Sequence, residues 1–156
     1  MNREIRKQER ILEESRIKAL LQNGEYGVLS TTSVDGGVYG IPLSYVVEEE
    51  SIYFHSGMEG HKVENIKANP LVSFCIVGNT KVLPSTFSTI YESVIVVGLI
   101  ETVNDKEEKI KALRLLVKKY SPDFESEGDA YIERAVHKTN ILKLNIYHVT
   151  GKGRLQ

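Results

Sequence analysis

Only one cysteine, Cys75, occurs in the 156 residues, so no internal disulfide can form and the chain suits a reducing compartment. An excess of charge of one sign is also missing. Lysine and arginine total 20 against 21 acidic residues, a formal net charge of −1, with no basic stripe of the kind that holds nucleic acid. The lysine-rich run from Lys106 to Lys119 is interleaved with Glu107, Glu108 and leucines and reads as a helix with one solvated face. No apolar segment approaches the ~20 residues of a membrane-spanning helix. The first ten residues are charged and lack the apolar core of a secretion signal, so the expected location is cytoplasmic. His55, His61 and Cys75 show none of the paired spacing of zinc sites, so no metal is expected. There is no nucleophile elbow for a Ser/His/Asp hydrolase and no dinucleotide fingerprint. Repeats, low-complexity runs and a second composition regime are likewise absent, and residues 1–156 read as one domain.

What is present is a series of short strands punctuated by turns. Ile5, Ile11, Leu12, Ala19, Leu20 and Leu21 recur near helical spacing, which predicts an amphipathic helix over residues 3–22, closing an N-terminal segment 1–22 ahead of a body at 23–156. Tyr26 to Ser33 reads as a strand, Asp35-Gly36-Gly37 as a tight turn, and Val38 to Val47 as the returning strand. Pro42 within that return cannot donate to a ladder. It marks an edge, a bulge or backbone left open to a ligand. Strands follow at 51–55 and 71–77, an irregular stretch at 79–88, and a long strand at 91–103 with a bulge or bend at Gly98. Asn104-Asp105 caps a helix that Ser121-Pro122 breaks, Asp129 to His137 forms a short helical turn, and 140–150 is the last strand. Strands joined by hairpins, with helices at the periphery, predict a mainly β fold: a small antiparallel barrel of about six strands.

The most informative stretch runs from His55 through Gly57, Gly60, His61 and Lys62 to Pro70. An apolar strand turns through glycine into a short helix, leaving free N–H groups at the helix start. Ser56, His61 and Lys62 add a hydroxyl, an imidazole and a positive charge there, which suits a phosphate or another small anion. Gly57 and Gly60 also serve as plain turn residues in the absence of any ligand. A lysine opposes the helix dipole unless an anion offsets it. Cys75, between Phe74 and Ile76, reads as an inert buried thiol. Tyr39, Tyr45 and Tyr91 read as core or interface aromatics.

Several segments carry a family resemblance in their order and spacing: Val28-Leu-Ser-Thr-Thr-Ser33, Tyr39-Gly-Ile-Pro-Leu-Ser-Tyr45, Ile52-Tyr-Phe-His-Ser56 and Glu59-Gly-His-Lys-Val-Glu-Asn-Ile66. Asn69-Pro-Leu-Val-Ser-Phe-Cys75, Tyr91-Glu-Ser-Val-Ile-Val-Val-Gly98 and Val149-Thr-Gly-Lys152 complete the set. Together they resemble the FMN-binding split barrels related to pyridoxamine-5′-phosphate oxidase, and within them the nitroimidazole-resistance (Nim-type) branch. The resemblance implies a six-stranded antiparallel split β-barrel and a homodimer with FMN at its interface. It implies that Lys62 pairs with the FMN phosphate, with Ser56, Gly60, His61 and His55 nearby. Ile41, Pro42, Leu43 and Ser44 would lie along the isoalloxazine ring. Tyr91 and Ser93 begin the next cofactor-facing strand, and Phe87 and Ser88 would reach the neighbouring subunit's ring. His61 would be either a proton donor beside the flavin or a further phosphate contact. Glu92 stands where relatives often carry arginine, so it points elsewhere or its strand is not at the phosphate. The C-terminal substrate motif of the true oxidases is missing, and vitamin B6 oxidation is not expected. The implied activity is FMN-dependent reduction of a small organic substrate such as a nitroimidazole; the alternative is a non-catalytic flavin-binding or storage protein.

Overall fold

Eight antiparallel strands share one curled sheet in the computed structural model, which describes residues 5–155. In chain order the elements are α1 (Glu14–Asn23), β1 (Gly27–Thr32), β2 (Val38–Leu43), β3 (Val46–Glu48), β4 (Ser51–Ser56) and α2 (His61–Ala68). They continue with β5 (Leu71–Val77), β6 (Lys81–Leu83), β7 (Ser88–Thr102), α3 (Lys106–Tyr120), α4 (Glu125–Ala135) and β8 (Asn140–Arg154). The strand order is β2-β1-β5-β7-β8-β4-β3, with β6 added alongside β7. This is the antiparallel split barrel expected from the sequence, with two more strands.

Each extra strand has a physical cause. The single return expected over 38–47 breaks at Ser44-Tyr45 into β2 and β3. Tyr45 is fully buried, its phenol donates to Leu21 O at 2.7 Å, and its N–H donates to Tyr120 Oη at 2.9 Å. Those bonds pull the backbone out of any ladder. The other addition is β6, in the stretch expected to be irregular, where Lys81, Val82 and Leu83 pair with Ile90, Thr89 and Ser88.

The N-terminal helix is shorter than the expected 3–22. Residues 3 and 4 lie outside the described residues, Gln8–Arg10 forms a 3-10 turn, and the α-helix begins at Glu14. Leu12 is buried and donates its N–H to Gly151 O at 3.0 Å, so a contact with β8 displaces the helical bond it would otherwise make. The expected turn at 129–137 is an eleven-residue helix that starts earlier, at Glu125, and β8 runs on past residue 150 to Arg154. The Asp105 cap holds, with its carboxylate accepting from Glu108 N at 2.8 Å. Gly98 marks the expected irregularity, because the β7–β8 register shifts there and a Cβ would meet Asn145 O at 2.0 Å.

Inside the barrel, Leu29, Ile52, Phe54, Phe74, Ile76, Val94, Val96, Leu142 and Leu144 are fully buried. A second cluster, with Tyr53, Ala112, Leu116 and Ile141, joins α3 to the outside of β4 and β8. Glu92 turns inward and is buried, with Arg16 of α1 at 2.6 Å. Tyr91 and Ser93 therefore occupy the opposite, outer face of β7.

Lys119 is an anomaly in this packing. Its Nζ is buried with no hydrogen-bond partner among the described residues, 3.8 Å from the centroid of the Tyr45 ring. Burial lowers its pKa from 10.5 to about 8. Between those values the unfolded chain binds more protons than the folded one, so stability rises with pH. Burial pushes the Tyr45 and Tyr120 phenols up, and their contribution is lost above the ordinary tyrosine range. Urea unfolding is thus expected to show stability climbing from pH 8 toward about 10. Lys119→Met should flatten that climb and raise stability at neutral pH. An unchanged slope in the variant would mean that Lys119 is solvated.

Candidate functional site

The ends of the strand order, β2 and β3, are joined by Ser44 and Tyr45 alone, so the curl brings the two margins of the sheet together. The barrel does not close there. Among the described residues β2 has a ladder partner on its β1 side only. β3 covers Ser51, Ile52 and Tyr53 of β4, while Phe54, His55 and Ser56 pair with β8 alone. The seam is therefore bounded by two strand edges with unused backbone polar groups. Pro42 sits on one of those edges, which is where a residue without an N–H costs nothing.

The helix α2 is held at this seam by buried contacts. Val63, Asn65 and Ile66 are buried, and Asn65 donates from Nδ2 to Thr31 Oγ1 at 3.0 Å. Thr31 in turn donates to Tyr39 O at 3.3 Å. Gly60 precedes the helix at φ 118°, which a side chain would resist. The result sets His61 against Tyr39, with ring centroids 4.3 Å apart. His61 is exposed and Lys62 half-buried, and no hydrogen bond or ion pair engages the Lys62 ammonium among the described residues. Asp35, in the β1–β2 turn, is held below the ordinary carboxylate range by Ser33 and Gly37, with a small contribution from the charge of His61.

Residues singled out in the sequence fall into two groups. Ser56, Gly60, His61, Lys62 and the β2 residues surround the seam. Ile41 and Leu43 pair with Leu29 and Gly27 and turn toward the core, whereas Pro42 pairs with Val28 and faces out. Ile41 and Leu43 therefore offer a ligand at this edge their backbone groups rather than their side chains. Ser44 is exposed in the link. Ser56 donates to Gly57 O at 2.8 Å and accepts from the buried Asn140 at 3.4 Å. His55 projects from the other face of β4, so its imidazole is not brought together with Ser56.

Phe87, Ser88, Tyr91 and Ser93 form the second group. Phe87 is 98% exposed at φ 50°, a strained setting for an aromatic side chain with nothing covering it. Ser93 donates to Lys152 O at 3.5 Å, and Ser88 accepts from Arg154. These residues adjoin an outward row, Pro42, Val28, Cys75 and Ile95, set by the registers of β2, β1, β5 and β7. At ~4.8 Å per strand, three strand steps separate Pro42 from Ile95 by about 14 Å. One flat ring in one chain does not touch both groups. Cys75 is half-buried on this outward face rather than buried in the core as expected, and its partial burial raises the thiol pKa. Cavities of about 460 to 690 Å³ beside α1 and α3 are lined by other residues.

Tyr39, Thr31 and Asn65 were not singled out as site residues. Asn65 carries the readable signal: it is a polar residue one turn after His61, between the apolar Val63 and Ile66.

Residues 13–153 match the pyridoxamine 5′-phosphate oxidase family. The chain belongs to that family. Among solved structures, a proposed 5-nitroimidazole antibiotic resistance protein of Bacteroides thetaiotaomicron is 25% identical with a TM-score of 0.77, over 92% of this chain and 86% of that one. A FAD-binding protein of Mesorhizobium loti is 23% identical with a TM-score of 0.64, covering 93% of this family member and 97% of the relative. A FAD- and haem-binding protein of Mycobacterium smegmatis shares the fold at 16% identity and a TM-score of 0.78, over 90% and 71% of the two chains. No curated protein sequence matches. No helix among the described residues is long and apolar enough to cross a membrane.

Proposed function

We propose that this family member is an FMN-dependent oxidoreductase, acting as a cytoplasmic homodimer on a small organic substrate such as a nitroimidazole. The observation that carries the reading is the seam: two unpaired strand edges with an unneutralised, half-buried Lys62 and the start of α2 at its mouth. This arrangement fits a flat polar ring with a phosphate tail. Lys62, Ser56 and the N–H groups at the start of α2 would hold the phosphate. Pro42 would lie against the ring, and the backbone of Ile41, Leu43 and Ser44 would meet its polar edge. The bound flavin would carry the electrons.

The chain itself positions the ring, excludes water by pairing with a second copy, and offers His61 as a proton source. The outward row Pro42, Val28, Cys75 and Ile95 supplies an apolar face for that second copy. The separation of the two residue groups supports a shared site, with Phe87, Ser88, Tyr91 and Ser93 contributing to the partner's cofactor.

The test is direct. Purified protein should show the visible absorbance of a flavin and sediment as a dimer. Anaerobic reduction by a nicotinamide followed by a nitroimidazole should bleach and then restore that band. A monomer that retains FMN would refute the shared site. The exposure of His61 to solvent favours a second reading, a flavin-binding or storage protein without turnover. It predicts bound flavin with no substrate-dependent reoxidation. His61→Ala separates two roles: turnover falling by about 10²-fold with FMN content unchanged marks a proton donor. Parallel loss of both marks a phosphate contact.

A further inference from the structure

The tail Thr150-Gly-Lys-Gly-Arg154 has no role in the reading above. Its glycines face α1 and the segment before it. A Cβ at Gly151 would meet Ile17 at 2.4 Å, and one at Gly153 would meet Leu12 at 2.7 Å. The alternating residues Lys152 and Arg154 thus emerge on the other face, opposite Ser93 and Tyr91 in the β7–β8 register. The bond from Leu12 N to Gly151 O delivers Arg10, two residues earlier, to the same corner. Arg10 most of all, and Lys152 with it, hold the Tyr91 phenol below the ordinary tyrosine range. Among the described residues neither cation forms a salt bridge with a carboxylate. An adjoining cavity of about 510 Å³ has Arg10, Arg154, Leu155 and one acidic residue, Glu9, in its wall.

We propose that Arg10, Tyr91 and Lys152 form a second anion site, which takes the phosphoryl group of a small phosphorylated substrate or of the nicotinamide reductant. A guanidinium fork, an ammonium and a phenol O–H converge there from three separate segments. A tetrahedral oxyanion has acceptors enough to use all three. The corner is distinct from Lys62 within one chain. Near the α2 end of the barrel, Ile100 of β7 donates to Pro70 O at 2.9 Å, and nine residues of extended strand, roughly 25–30 Å, separate Ile100 from Tyr91. The anion binding stands by itself, whereas its place in turnover rests on the flavin reading.

Calorimetric titration of the full chain with inorganic pyrophosphate tests it. Lys152→Ala and Arg10→Ala should each weaken binding by about tenfold or more, and Lys18→Ala, at an exposed lysine paired with Glu14, by no more than about twofold. Unchanged affinity in Lys152→Ala overturns the site. Loss of pyrophosphate binding in Lys62→Ala also overturns it, since only one anion site would then exist. In flavin-loaded protein, a raised KM for NADH in Lys152→Ala assigns the corner to the reductant. A raised KM for a phosphorylated aromatic substrate alone assigns it to the substrate. Loss of FMN from Lys152→Ala refutes the proposal, because these cations would then hold the cofactor. Failure of the protein to bind FMN at all would defeat the flavin reading and leave the pyrophosphate result standing.

Discussion

Lys62→Ala is expected to lower FMN affinity by about tenfold to a hundredfold, the equivalent of the roughly 1.5–3 kcal/mol carried by a charge-assisted hydrogen bond. Lys62 is half-buried and its ammonium is engaged by no other group among the described residues, so its removal costs the apo protein little. The loss should therefore appear almost wholly in binding. Lys62→Arg should keep most of the affinity, because the charge survives. Rising salt should narrow the gap between wild type and the alanine variant, since a partly exposed pair is screened. The measurement is the dissociation constant from flavin fluorescence quenching, with FMN content after gel filtration as a check. Equal affinity in Lys62→Ala and the parent would remove Lys62 from the phosphate and, with it, the main electrostatic support for the seam as a cofactor site.

Phe74→Ala should cost about 3–5 kcal/mol of folding stability, the largest effect expected of a single core substitution here. Phe74 is fully buried, with its ring edge-on to Tyr45 at 5.1 Å and to Phe54 at 4.9 Å. Gly27 makes room for it, because a Cβ there would lie 2.4 Å from the Phe74 ring. Its strand β5 is laddered to β1 on one side and β7 on the other. The backbone cannot relax inward, and the cavity would persist. Urea unfolding should show a lower midpoint at an unchanged slope. Cys75→Ser, one residue along and facing outward, should change stability by less than about 1 kcal/mol in the isolated chain. A Phe74→Ala loss no larger than that of Cys75→Ser would contradict the packing described here.

Much of this molecule was readable in advance, residue by residue. Pro42 marked an edge because proline cannot donate, and β2 lies at an end of the sheet. Gly98 marked a bulge, and Asp105 a cap, because both signals are local. Glu92 was recognised as unsuited to a phosphate, and it turns inward to Arg16. The N-terminal helix was overextended because Leu12 has helical spacing and yet is claimed by Gly151, 139 positions further along. Arg10 was passed over, and Lys152 was quoted without a role, for the same reason: a cluster drawn from both termini has no spacing to detect.

The order of strands, turns and helices, the α3 cap and the strand-to-helix turn that carries Lys62 were determined by sequence alone, since alternation, turn chemistry and capping act over a few neighbouring residues. Tertiary structure decided three other matters: the break at Ser44-Tyr45, the opening of the barrel beside it, and the gathering of Arg10, Tyr91 and Lys152 at one corner. Those depend on Tyr45 reaching α1 and α3 and on β8 running between β7 and β4. Such contacts join residues far apart in the chain, and no local pattern encodes which of them will meet.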